Sequence, residues 1–137
     1  MAGTIIVDTI QHADNTTTST NAIGNVRSNA NQSFTKAQRG TPVALTDGAT
    51  ITPDFSLGNH FTVTLGGNRT LANPTNLTAG QSGVIVITNG AYTCAFGNYW
   101  KFPGGTAPTL TQSGVDVLAY YVDSSTRITA RVVGDVK

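Results

Sequence analysis

Val84-Ile85-Val86-Ile87-Thr88-Asn89-Gly90-Ala91-Tyr92-Thr93-Cys94-Ala95-Phe96 is the stretch on which the reading of this chain turns. Four β-branched residues followed by Thr88 suit a pleated surface, where side chains branched at Cβ pack well. Asn-Gly tolerates positive φ at both turn positions, so the segment predicts a two-residue hairpin with Thr88 opposite Ala91. That register places Ile85, Ile87, Tyr92, Cys94 and Phe96 on a core face. The other face, with Val84, Val86, Thr88, Ala91, Thr93 and Ala95, is small and half-polar and suits packing against a neighbouring sheet or subunit. Cys94 reads as a small buried hydrophobe rather than a reactive thiol.

The neighbouring segments speak the same language. His60–Leu65 alternates, with Phe61, Val63 and Leu65 on one side and His60, Thr62 and Thr64 on the other. Gly66-Gly67-Asn68 turns the chain into Arg69-Thr70-Leu71, and Thr50-Ile51-Thr52 is a short strand stopped by Pro53. Val115–Val122 and Arg127–Val133 flank a polar loop, Asp123-Ser124-Ser125-Thr126, and predict a closing hairpin. Seven or eight short strands with turns at close intervals give an all-β class and suggest a small sandwich or jelly-roll-like module. No internal repeat of the kind that builds a solenoid or a β-helix is visible.

Composition points the same way. The chain has 137 residues, no Glu and one Met, and Thr is its commonest residue. Long helices draw on straight side chains that lose little rotamer freedom, and those are scarce here. Charged residues make up 11% and the formal charge is +1, so neither nucleic acid nor an anionic membrane is implied as partner. One cysteine excludes an intrachain disulfide, and no metal-ligand spacing or cofactor motif is present. The opening residues lack a signal-peptide pattern, and no apolar run reaches membrane-helix length, which leads to an expectation of synthesis in a cytoplasm.

Character changes near Gly40. Residues 1–40 read as an extended N-terminal arm and residues 41–137 as the β module. The arm is polar, with Asp14-Asn15-Thr16-Thr17-Thr18-Ser19-Thr20-Asn21 at its heart, and cannot bury enough apolar area to order alone. Its apolar residues Ile5, Ile6, Val7 and Ile10 gather near the tip, which favours an arm that orders against another chain over a plain tail. Those four are the expected partner contacts.

Catalysis needs convergent groups, and few are visible. His12 and His60 lie near no motif. Most of the seven Asp residues sit at turns, where they accept backbone hydrogen bonds; Asp116 lies within a strand and is expected to pair with Arg131. A glycoside-cleaving carboxylate pair is disfavoured, and no catalytic residue is assigned. Tyr99-Trp100-Lys101-Phe102 is the one place where a ligand site suggests itself. Tyr99, Trp100 and Phe102 are the residues to stack on a sugar, but a plug at one end of the module is the favoured role for Trp100 and Phe102.

Three segments carry a resemblance: Thr64–Leu71, Asn73–Gly83 and Trp100–Leu110, with Gly3–Ile10 in the arm. They resemble short virion surface proteins of tailed bacteriophages, described as trimeric capsid cement or decoration proteins, head fibres or tail-fibre parts. The resemblance implies a homotrimer on the virion surface, made in the host bacterial cytoplasm, with the major capsid protein as partner. It brings no catalytic residues. Tail fibres need a long repetitive stalk that 137 residues do not supply, whereas a cement protein needs a compact body and a linking arm. The expectation is therefore a structural cement protein, not an enzyme, that bridges capsomers through its arm. A receptor- or sugar-binding fibre module is the alternative, and a depolymerase the third reading.

Overall fold

A computed structural model describes residues 35–137 and, within the first 34, the backbone of two short strands. The chain divides into two compact units, Met1–Gln38 and Arg39–Lys137. In the first, β1 (Ile10–Gln11) pairs antiparallel with β2 (Thr17–Thr18). Ile5, Ile6 and Val7, and most of the expected arm, lie outside the described residues.

The second unit is all-β, with one short 3-10 turn at Pro103–Gly105. Its first six strands alternate between two sheets. β3 (Val43–Ala44), β5 (His60–Thr64) and β7 (Ser82–Thr88) enter one sheet, and β4 (Thr50–Ile51), β6 (Arg69–Leu71) and β8 (Cys94–Phe96) form the other. Neighbours within each set are parallel: Val43 lies beside Phe61, Phe61 beside Ile85, Thr50 beside Thr70 and Thr70 beside Ala95. A parallel bridge between Asp54 and Thr75 continues the stacking at a third side. Three successive turns of chain are thus laid one on another as a short solenoid.

The last strands close it. β10 (Val115–Ser124) runs antiparallel to β7, β11 (Arg127–Val133) forms a hairpin with β10, and β9 (Trp100–Lys101) lies parallel to β11 at the sheet edge. The first sheet therefore has the order β3-β5-β7-β10-β11-β9. The closing hairpin was legible in the sequence, with a register shift between Val122 and Ser124 tightening its turn. The sandwich or jelly-roll-like arrangement expected from the sequence gives way to stacked parallel coils.

The Asn-Gly hairpin is the clearest correction. Neither Asn89 nor Gly90 has positive φ. β7 instead pairs with β5 on one side and β10 on the other, which satisfies both of its backbone edges. Asn89 is buried at the corner; its Nδ2 donates to the carbonyls of Tyr92 (3.1 Å) and Thr111 (3.0 Å), and its Oδ1 accepts from the Tyr92 amide (3.3 Å). The inward-outward alternation of β7 was nonetheless right: Ile85 and Ile87 are buried, while Val84 and Val86 are half-buried and Thr88 exposed.

One apolar column runs through the coils. Phe61, Ile85 and Leu118 stand side by side across β5, β7 and β10 and are fully buried, and Ile51 and Leu71 face them from the second sheet. Gly83 marks a place where two chain segments meet: a Cβ there would collide with the Asn59 carbonyl. Two substitutions test these constraints. Asn89→Ala leaves buried carbonyls without donors and is expected to cost about 2–4 kcal/mol in urea unfolding. Gly83→Ala is expected to cost about 1–3 kcal/mol, since the backbone at Asn59 has to shift.

Candidate interaction site

The aromatic segment that drew attention in the sequence is held by β9. Trp100 stands opposite Ile128 of β11 and turns its ring inward, leaving it 4% exposed. Its indole N–H donates to the Ala72 carbonyl at 3.0 Å. The ring lies edge-on to Phe55 and Tyr120, with centroids at 6.3 and 6.4 Å, and Phe55 itself stacks on Phe61 and Tyr120. Such offset and edge-to-face contacts add to the area that aromatic rings bury. The Tyr120 hydroxyl donates to the Asn59 carbonyl, and burial pushes its pKa up to about 12.

Outside this column lies a shallow notch of about 350 Å³, bordered by Phe96, Asn98, Lys101 and Phe102 and floored by Trp100. Phe96 and Phe102 meet edge-to-face at 4.8 Å, and both are half-buried. Lys101 Nζ donates to the Asn98 carbonyl at 2.7 Å and remains exposed. Tyr99 is half-buried beside the core, its amide bonded to Asn73 Oδ1. The notch offers two aromatic edges and an ammonium group, whereas the Trp100 face belongs to the core.

Three of the described carboxylates hold turns or corners. Asp47 takes a two-pronged bond from Arg69, Nε to Oδ1 at 2.8 Å and the terminal nitrogen to Oδ2 at 2.7 Å, and also accepts from the Gly66 amide. Asp54 accepts from the Ser56 amide and hydroxyl and from Asn76. Asp116 does not pair with Arg131, which stands beside Ala119. It points into the module, fully buried, and accepts from the backbone amides of Thr111 (2.7 Å) and Asp135 (2.8 Å). An inward row position beside Ile87 explains the miss, because alternation along β10 puts Asp116 on the Leu118 face and Arg131 on the opposite one. Among the described residues no group of three or more His, Cys, Asp or Glu is placed to hold a metal. Cys94 is partly buried against the core, and that burial pushes its thiol pKa up.

Sequence reasoning assigned no role to the Asp47–Arg69 pair, whose members are 22 positions apart and join two coils. It also saw only the shares of β5 and β7 in the outward sheet face. Of the expected partner contacts, Ile10 belongs to β1, and Ile5, Ile6 and Val7 fall outside the described residues.

The Asp47–Arg69 pair has a pH consequence. Hydrogen bonding from the Arg69 guanidinium holds the Asp47 carboxyl below its ordinary value of 3.8. A depressed carboxylate stabilises the fold above that ordinary value, and the contribution is lost as pH falls through the lower folded-state value. Asp47→Asn is therefore expected to lower the melting temperature at pH 7 by a few degrees at most. The difference from the parent should vanish near pH 2, as followed by circular dichroism. Trp100→Ala is expected to cost about 3–5 kcal/mol, read by urea unfolding.

Compared with known proteins, the chain is matched by no family model, no curated protein and no solved structure.

Proposed function

We propose that this chain is a structural protein of a tailed-phage virion, a capsid cement or decoration protein that bridges capsomers through residues 1–40. The observation that carries the reading is the contrast within the chain. A compact solenoid of low charge begins near Arg39, and the residues before it are mostly polar, with their one apolar concentration at Ile5, Ile6, Val7 and Ile10. A body with an appended strand-forming arm suits attachment by backbone pairing at a sheet edge, with alternate side chains filling pockets. Many weak attachments over a symmetric shell add up to firm holding. The resemblance of Thr64–Leu71, Asn73–Gly83 and Trp100–Leu110 to tailed-phage surface proteins supports the same reading, and a homotrimer matches a three-fold junction between capsomers.

A non-catalytic role accords with the carboxylates. Asp47, Asp54 and Asp116 each accept hydrogen bonds that hold a turn or a corner, which leaves little for acid–base work. The notch beside Phe96 and Phe102 favours a second reading, a receptor- or sugar-binding fibre module. Removal of residues 1–40 separates the two. For a cement protein, the truncated chain keeps its far-ultraviolet spectrum but no longer decorates capsids that lack the protein. For a fibre module, the truncated chain still binds host cells or polysaccharide, and Phe102→Ala abolishes that binding.

A further inference from the structure

The outward face of the six-stranded sheet is an unusual surface for a small protein. Its central row crosses five strands: Ala44, Thr62, Val86, Val117 and Val133 stand side by side from β3 to β11. The next row, one residue pair along, is His60, Val84, Ala119 and Arg131. Across these two rows Arg131 is the sole fixed charge, and it lies on β11, near the margin. Asp123 and Arg127, at the turn end of the same hairpin, lie within 3.7 Å of each other. Val133 is 54% exposed, and Tyr121, farther along β10, is 49% exposed. A groove of about 390 Å³ runs over the face between Leu45, Thr62 and Val86.

We infer that this face is a contact between copies of the chain, sheet packed on sheet. Small β-branched residues are what allow two sheets to approach to about 10 Å and interdigitate. A partner of opposite charge is not called for, because the rows carry almost no charge to complement. A second copy brings the same Val-Thr-Ala surface, so neither side buries an unpaired ion: Arg131, and Lys101 at the edge of the Tyr121 row, fall at the rim where water reaches them. The size also fits. The five strands have two, five, seven, ten and seven residues, and at about 4.8 Å by ~3.3 Å per residue they span about 490 Å² on each copy. Two such faces reach the roughly 1,000 Å² of a specific interface. The inference goes beyond the homotrimer of the reading above, because two like faces packed together form a two-fold pair, and it rests on the sheet alone. It is read without any capsid, so its failure and that of the cement role are distinguishable.

Sedimentation equilibrium of the full-length chain tests it. The parent should associate at micromolar concentration, and Val86→Lys should weaken association at least tenfold. Val133→Glu, at an exposed position that tolerates charge, should do the same while melting within a few degrees of the parent. Leu57→Glu, at another exposed apolar position, should leave association unchanged. A parent that sediments as a monomer at 100 micromolar would overturn the inference. So would a folded Val133→Glu variant that associates as the parent does, since the contact would then lie elsewhere.

Discussion

A coil of parallel strands has to turn corners, and each corner takes backbone amides and carbonyls away from the ladder that would otherwise satisfy them. Where the corner is shut off from water, an unmade hydrogen bond costs about 1–3 kcal/mol, so something must replace it. Side-chain amides do so here. Asn89 serves three backbone groups at the end of β7, Asn68 accepts from the Thr93 amide, Asn73 from the Tyr99 amide, and Gln81 donates to the carbonyls of Phe55 and Gly58. Most of these bonds join residues more than 20 positions apart. They therefore fix how one coil sits on the next, as well as closing individual turns.

With the corners held, parallel register follows, and register decides what is buried. A slip by one residue would turn Phe61 and Ile85 outward and bring Thr62 and Val86 into the core. The closing hairpin then deals with one end of the stack: β10 covers the free edge of β7, and β11 and β9 extend the same sheet. Asp116 belongs to this closure. Its carboxylate ties Thr111 and Asp135, from the approach to β10 and the end of the chain, into one buried junction. The pattern of strong nonlocal pairing implies slow folding relative to helical chains of similar length.

This explains what could be read from the residues alone. Alternation identified the buried sides of β5 and β7 because a strand's facing is local: Phe61, Val63, Ile85 and Ile87 announce it. Pairing partners are not local. Asn89-Gly90 has the composition of a tight turn, and only the competition from β5 and β10 shows that it is a corner. The stacked coils escaped notice for a related reason: their length is not constant, with Val43 above Phe61 and Phe61 above Ile85 at separations of 18 and 24 residues. A fixed period would have shown itself; a loop-lengthened one does not. Trp100 was legible as an aromatic anchor, but its partners Phe55, Ala72 and Tyr120 come from three separate segments. The outward face could be assembled only once five strands were in order.

Function follows from what such a body is suited to do. The coil ties Asp47, Asp54 and Asp116 into turns and corners, packs Phe55, Trp100 and Tyr120 inward, and presents one broad face on which charge is sparse. The proposed role gives residues 1–40 the task of reaching neighbouring subunits, with Ile5, Ile6, Val7 and Ile10 as the anchor. The proposed cement role joins these features, and its central claim concerns position. Electron cryomicroscopy of purified virions tests that claim most directly. The account predicts density of this solenoid on the outer surface of the head, seated at junctions between capsomers; density confined to the tail, or heads with no such density at any junction, would contradict it.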